Sequence, residues 1–317
     1  LTYFKTFKKH VLNAGFIYNL RETNHDQTDV YALGFPNANM DHISMGAGFK
    51  EGDKPGGAYD VTRLVGFVGN LGYTYDERFL LDFSVRSDGS SLYGSNNRWG
   101  TFWSLGLGYN LHHEKFMERL TFINLLKIRG SIGTTGGQNF NPYQSMAMYS
   151  YNDDRIGSIS YSGYIGAILK AFGNKNLRWQ KVEKQNVGLD FELFDRRLTG
   201  SFNVYNDISK DVLIDVTLAP SLGFSSYKEN LGEVKNSGVE LTLKGTVIRD
   251  REREIYWDIM YNLAHNKNKV TKINQALTAF NDKQDAEVKN KPVIRYKEGL
   301  SQNTIWANES LGIDPAT

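Results

Sequence analysis

The most constraining feature of this sequence is a strict alternation of apolar and polar residues that recurs along almost the whole chain. A period of two residues is the pattern of a β-strand with one apolar and one polar face. Nine segments between residues 12 and 265 follow it, and a weaker tenth lies near Thr304 to Leu311. In the last of the nine, Trp257 and Leu263 fall on the apolar face, and we assign Asp258 and His265 to the polar face. The chain is therefore predicted to be all-β.

The links between these segments alternate in length. The short links cover residues 76–78, 112–124, 195–197 and 249–254, and the long ones cover 21–60, 87–100, 133–178, 207–237 and 266–303. In an antiparallel up-and-down sheet, this order puts every short turn at one end and every long loop at the other. Transmembrane β-barrels have this asymmetry.

Alternation alone does not say whether the apolar face meets lipid or a protein core, because the strands of a soluble sandwich alternate too. The strands are often long enough for the roughly 9–11 residues of a tilted membrane crossing. Their polar faces mix glycine, asparagine and both charges, which suits a polar lumen. Aromatic residues collect at strand ends, such as Tyr73 and Tyr75 near a short turn and Trp99 and Trp103 near a long loop, as in interfacial girdles. We predict an antiparallel up-and-down transmembrane β-barrel; the alternative is a soluble or surface-attached all-β binding or adhesion module with no transport role.

Composition excludes several other classes of protein. The chain has no cysteine, which excludes disulfides, thiolate metal sites and cysteine nucleophiles. A formal net charge of +2 with both signs scattered argues against nucleic acid as a partner. No apolar run approaches the roughly 18 residues of a transmembrane helix.

No motif for catalysis or metal binding is found. The pair His112-His113 lacks the spacing of a zinc helix, and Asp153-Asp154 lacks the oxygen ladder of a calcium loop. The glycine-rich run 130–137 has no lysine and Ser/Thr after it, and no serine stands in a Gly-x-Ser-x-Gly turn. We therefore expect no enzyme activity, no catalytic residues, no metal and no cofactor.

The long loops carry aromatic rings beside amides, which is the chemistry that grips sugars or peptides through stacking and hydrogen bonds. Rings in such loops can equally pack the loops against one another. The candidate substrate-binding residues are Tyr93, Asn96, Asn97, Trp99, Tyr143, Tyr149, Tyr151 and Tyr161.

Several stretches together resemble the SusC/RagA group of TonB-dependent outer-membrane transporters. They are RSDGSS at 86–91 with NRWGTF at 97–102, NLRWQ at 176–180 with NVGLD at 186–190 and RLTG at 197–200, LGEVKNSGVEL at 231–241, and GIDPAT at 312–317. Each motif is weak alone, but all of them occur in the right order on the segments that periodicity assigns to strands and loops.

The resemblance implies a barrel of about 22 strands around a plug, of which the nine or ten strands here would be a fragment from the middle. Residues 1–317 would all belong to the barrel domain, and the plug, TonB box and signal peptide are expected to be absent from this chain. The implied function is uptake of large nutrients, oligosaccharides or oligopeptides, through the outer membrane of a Gram-negative bacterium. The implied partners are a SusD-like surface lipoprotein, TonB as the energy source and outer-membrane lipid.

Overall fold

The protein is described from a computed structural model. The structure describes residues 1–49, 55–137, 141–150, 152–153, 157–158, 160–161, 164–217, 226–230, 232–250, 252–273, 277–279, 281–282 and 295–306. None of the helices among these residues could span a membrane.

Ten strands form one antiparallel sheet in which each strand pairs with its neighbours in chain order. The strands are β1 (Thr2–Phe7), β2 (His10–Asp29), β3 (Gly56–Tyr75), β4 (Phe79–Ser90), β5 (Trp99–Asn110), β6 (Ile123–Gly137), β7 (Gln180–Leu193), β8 (Leu198–Lys210), β9 (Glu233–Asp250) and β10 (Ile255–Lys272).

The up-and-down order agrees with the prediction, but the position of one predicted strand does not. The tenth strand is β1 at the start of the chain, which pairs with β2, whereas Thr304–Trp306 contains no strand. Residues 307–311, the rest of that predicted segment, lie outside the described part of the chain. β1 was missed because its six residues, TYFKTF, are too short for a convincing alternation.

The short turns gather at one end of the sheet, as predicted. In the turn 76–78, Asp76 and Glu77 have φ values of 52° and 56°, and the Arg78 amide donates to the Tyr75 carbonyl over 3.0 Å. Two successive positive φ values match the right-handed twist of the strands and so close a tight hairpin. Aspartate tolerates this left-handed region better than most residues, which helps a turn that has no glycine.

In their described parts, the long loops at the other end carry small ribbons and one 3-10 turn. The paired ribbons are Ala32–Leu33 with Gly48–Phe49, Met148–Ser150 with Ile168–Ala171, Asn152–Asp153 with Gly157–Ser158, Ser160–Tyr161 with Tyr164–Ile165, and Leu213–Thr217 with Ser226–Asn230. One 3-10 turn, Ile43–Met45, lies in the long loop before β3, and another, Leu111–His113, follows β5 at the short-turn end.

The sheet is a single layer, and its apolar face is uncovered. Leu107 and Val187 in mid-sheet are 56% and 61% exposed, and Trp257 on the edge strand β10 is 52% exposed. Within the described residues, no second sheet packs on this face. A sandwich needs two apposed sheets, so this arrangement favours the barrel wall over the soluble alternative. The principal buried cluster instead lies in the loops, where Leu92 and Tyr93 pack with Phe102 and Trp179.

Two belts of rings border the apolar face. At the short-turn end, ring contacts run from Phe7 through His10, Tyr75 and Phe79 to Tyr109, with centroid separations from 4.9 to 6.4 Å. Toward the loops, Phe67 lies 5.3 Å from Tyr18 and 6.2 Å from Trp99. The stretch from Phe67 to Tyr75 spans about 26 Å along β3 at roughly 3.3 Å per residue. With a tilt of about 40° it crosses about 20 Å, near the apolar band of about 25 Å in membrane barrels.

One residue lies on the opposite face from its prediction. His265 pairs with Val239, and the neighbouring pair is Ala264 with Glu240. Because faces alternate strictly, His265 belongs with Tyr261 and Leu263 on the apolar face.

Candidate functional site

The polar faces of the strands join into one continuous wall. The register aligns Asn70 of β3 with Ser84 of β4, and Ser84 with Ser104 of β5. Further along the sheet, it aligns Ser131, Asn186, Tyr205 and Gly238. Hydroxyl and amide groups of β3 to β8 therefore face the same side of the sheet, as the lumen of a water-filled barrel requires.

A guanidinium near the middle of this wall links three strands. Arg129 on β6 donates to both carboxylate oxygens of Asp190 on β7, over 2.9 and 3.2 Å, and to Oδ1 of Asn203 on β8 over 2.7 Å. Gly188 makes the approach possible, since a Cβ at that position would lie 2.9 Å from Cζ of Arg129. The positive charge is thus balanced on the wall itself.

A second ion pair is more deeply enclosed. Arg86 donates through Nε to Oδ2 of Asp88, which is 5% exposed. Oδ1 of Asp88 is buried and has no hydrogen-bond partner within the described part of the chain. It lies against Gly66 on β3, where a Cβ would collide with it. The missing side chain at Gly66 is therefore what lets Asp88 fit into the wall.

Above the wall, two long loops meet in an aromatic cluster. Tyr93 is 1% exposed, and its ring centroid lies 4.2 Å from that of Trp179, which meets Phe102 edge-on at 5.4 Å. The Tyr93 hydroxyl donates to the Gly137 carbonyl over 2.5 Å, and Nε1 of Trp179 donates to the Arg98 carbonyl over 3.0 Å. Burial raises the pKa of the Tyr93 phenol, which keeps it protonated as a donor.

The two predicted asparagines reinforce the same junction. Nδ2 of Asn96 donates to Oδ1 of Asn176 over 2.8 Å, and Nδ2 of Asn97 donates to the Asn176 carbonyl over 3.0 Å. The Gly94 amide also donates to the carbonyl of Leu177, which is fully buried. In this structure Tyr93, Asn96 and Asn97 therefore hold the loop 91–98 against the segment 174–179.

The other predicted residues are more dispersed. Trp99 is 57% exposed and stacks on Phe67 in the loop-side belt. Tyr149 is 62% exposed on the ribbon Met148–Ser150. Tyr143 accepts a hydrogen bond from the Val61 amide at its hydroxyl over 2.9 Å. Tyr151 lies outside the described residues, and for Tyr161 only the backbone strand Ser160–Tyr161 is described.

Trp99 and Tyr143 share a groove of about 550 Å³ at the outer rim. Its other walls include Val61 and Arg63 of β3, with Arg98 and Met146 from the loops. The groove thus combines apolar surface, two guanidinium groups and strand backbone.

Sequence reasoning missed Trp179 and Asn176 as partners of the loop residues, and Arg129 with Asp190 as a wall pair. The stretch NLRWQ, already singled out, contains both loop partners. Nothing in the period-two pattern pairs Arg129 with Asp190, because that pairing depends on register. Among the described residues, no group of His, Cys, Asp or Glu side chains could hold a metal ion.

Comparison with known proteins gives one consistent result. A protein-family model described as TonB dependent receptor-like, beta-barrel, matches residues 2–298. TonB-dependent receptor P39 of Formosa agariphila is 32% identical over 274 residues, which are 86% of this chain and 25% of that protein. TonB-dependent receptor SusC of Bacteroides thetaiotaomicron is 34% identical over 216 residues, 66% of this chain and 21% of SusC.

Solved structures agree in both fold and sequence. The structure of the RagAB peptide importer in its closed-closed state matches with a TM-score of 0.73 and 28% identity, over 86% of this chain and 29% of that one. The chain spans about a quarter of the length of the curated relative P39 that it matches.

Proposed function

The chain belongs to the TonB dependent receptor-like β-barrel family, and from this premise we propose that it is part of the barrel of an active importer of large nutrients. The similarity to SusC and to RagAB confirms the resemblance to the SusC/RagA group and the outer-membrane location. Members of this family are transporters and not enzymes, which confirms the prediction that the chain is not an enzyme.

The observation that carries the proposal is the division of one sheet into two faces. One face is apolar, uncovered and bordered by two belts of rings, and the other is a wall of amides, hydroxyls and balanced ion pairs. An uncovered apolar face is costly in water but favourable in hydrocarbon. A polar wall with paired charges offers hydrogen bonds to a hydrated cargo without repelling either sign of charge.

We propose that the cargo is an oligosaccharide or an oligopeptide. RagAB is described as a peptide importer, which supports the second class. A SusD-like surface lipoprotein would cover the loop end, and TonB would supply energy through segments that the described strands do not include. Both partners are drawn from the family, and the charge-balanced wall of the barrel is compatible with either cargo.

Within this proposal the eight candidate residues divide into two roles. Trp99, Tyr143 and Tyr149 have exposed or groove-lining side chains and would contact cargo, and Tyr151 and Tyr161 are proposed as further contacts. Tyr93, Asn96 and Asn97 would act indirectly, because their side chains hold two loops together. Substituting the second group should therefore alter loop order together with cargo binding.

The test is binding to the full-length receptor, purified with its lipoprotein, using a mixture of maltodextrins and a tryptic digest of casein as probes. We expect the complex to retain one of the two probe classes, either maltodextrins or peptides. We expect Tyr149→Ala and Trp99→Ala each to reduce that retention. Phe116→Ala, which alters an exposed ring at the short-turn end of the sheet, is the control. If neither probe is retained by the complex, the importer proposal fails.

A further inference from the structure

The hairpin of β2 and β3 rises above its neighbours on the loop side and leaves one edge of β3 open. β3 pairs with β2 along its whole length, from Gly56 with Asp29 to Tyr75 with His10. Its pairing with β4, in contrast, reaches only as far as Leu64 with Ser90. The outer part of β3, before Leu64, therefore has no strand on its β4 side among the described residues.

Alternation of backbone groups shows which residues face this open side. Arg63 is bonded on the β4 side, since the Ser91 amide donates to its carbonyl and its own amide donates to Oγ of Ser91. In an antiparallel strand every second residue points its N–H and C=O to the same side. Val61, Tyr59 and Gly57 therefore point theirs to the open side, and no bulge interrupts β3 here.

One of these groups already has a substitute partner. The Val61 amide donates to the hydroxyl of Tyr143, which takes the place that a carbonyl of a paired strand would occupy. In the described part of the chain, Tyr59 and Gly57 have no bond on this side, and both are exposed. An edge of this kind is a template for another extended chain.

The groove beside the edge adds a charge. Arg63 is paired with Glu22 over 2.7 Å, but the guanidinium of Arg98 has no carboxylate partner within the described residues. Arg98 is exposed and lines the same groove as Val61 and Tyr143. An extended chain with an acidic group would satisfy both the backbone edge and this free charge.

We propose that the open edge of β3 captures an extended, acidic oligopeptide by adding it to the sheet as a strand. The peptide backbone pairs with Tyr59 and Gly57, its alternate side chains lie in the groove, and a carboxylate meets Arg98. Backbone pairing gives affinity that tolerates many sequences, which suits a nutrient importer. This inference rests on the proposed function and assigns its cargo to the peptide class.

The test uses the full-length receptor with its lipoprotein and three fluorescein-labelled peptides of one sequence, about ten residues long so that they span edge and groove at about 3.3 Å per residue. The sequence alternates Ser and Val and ends in a free glutamate. One peptide is unmodified, and the other two are N-methylated on one or the other set of alternate residues. Only one of the two methylated peptides lacks the amides that face β3. We expect that peptide to bind about tenfold more weakly than the unmodified one, because it loses one or two hydrogen bonds.

A receptor variant tests the same contact from the other side. Tyr59→Pro removes an amide that faces the open edge and leaves the ladder to β2 intact, as proline at an edge position allows. It should weaken the unmodified peptide about tenfold, whereas Tyr59→Ala, which keeps the amide, should stay within about twofold. A fourth labelled peptide ends in glutamine amide in place of the free glutamate. The parent receptor should bind the free acid more tightly than this peptide, and Arg98→Gln should abolish that preference.

The outcomes separate the two proposals. Equal binding of all three peptides, or equal effects of Tyr59→Pro and Tyr59→Ala, overturns capture at the edge while leaving import intact. The Tyr59→Pro variant could instead lose its association with the lipoprotein while peptide binding stays unchanged. That result would assign the edge to the lipoprotein and would also overturn peptide capture at the edge. Retention of maltodextrin but not of any peptide overturns the cargo class itself.

Discussion

Arg129 and Asp190 form an ion pair with two hydrogen bonds across neighbouring strands, with Nε 2.9 Å from Oδ2 and Nη2 3.2 Å from Oδ1. The paired carboxylate is shared with no other guanidinium in the described residues, and the guanidinium extends to Asn203. This arrangement ties β6, β7 and β8 together by side chains as well as by backbone bonds.

Removing Asp190 should lower stability modestly. Asp190→Ala leaves Arg129 with Asn203 alone, but both charges are about a third exposed to lumen water, so we expect about 1 kcal/mol or less. The measurement is urea unfolding of the full-length barrel in bilayers. A double-mutant cycle with Arg129→Ala should show a coupling of about 0.5 kcal/mol or more; purely additive losses would refute the pairing.

The apolar face should reject charge at mid-strand. Leu107→Arg places a guanidinium in hydrocarbon and should cost about 2–4 kcal/mol in a bilayer. Ser104→Arg, on the same strand but on the polar wall, should cost much less. Both are read from reversible unfolding in lipid vesicles. Similar costs for the two variants would mean that the faces are assigned the wrong way round.

Gly66 should not accept even a methyl group. In Gly66→Ala the new Cβ meets Oδ1 of Asp88, so the Arg86–Asp88 pair must shift or break. We expect a loss of about 1–3 kcal/mol, typical of overpacking. Gly69→Ala on the same strand is the control, because its Cβ meets only Cγ1 of Val85, at 3.6 Å. Equal melting temperatures for the two variants would contradict the structure.

The loop junction should depend on Trp179. Trp179→Ala removes the ring stacked on Tyr93 and the donor to the Arg98 carbonyl, which should destabilise the junction by about 3–5 kcal/mol. Limited proteolysis of intact cells should then cut within residues 91–98 or 174–179 much faster than in the parent. Tyr149→Ala, which alters an exposed ring, should leave the cleavage pattern unchanged. Protection that survives Trp179→Ala would show that other contacts hold the loops.

The short-turn end should be sensitive to acid. The hydrogen bond from Lys9, aided by Arg78, lowers the pKa of Asp76 below its ordinary value. A lowered folded-state pKa means that the stabilisation is present above the ordinary aspartate value of about 3.9 and is lost as pH falls through the lower one. Thermal melts of the parent should therefore drop more steeply below about pH 4 than those of Asp76→Asn. If melting temperature falls equally with pH in the two proteins, the Asp76 ion pairs do not stabilise the fold. Asp26→Asn on β2 serves as the control.

Part of the candidate site was predictable and part was not. Trp99 and Tyr149 are exposed, and their role in binding stays a prediction. Tyr93 is buried, because its ring finds Trp179 across a loop contact that no local pattern encodes. His265 was assigned to the polar face, although it follows Tyr261 and Leu263 at intervals of two residues and therefore lies on the apolar face.

The sequence by itself determined nine of the ten strands, the faces of nearly all their residues, and the two ends of the sheet. These follow from the period of two residues and from link length, which are local properties that each segment carries alone. Only the tertiary structure decided the partners: Arg129 with Asp190, Asp88 against Gly66, Tyr93 with Trp179, and the open edge at Tyr59. Each of these depends on register and on how far neighbouring strands extend, and those quantities are set by all ten strands pairing together.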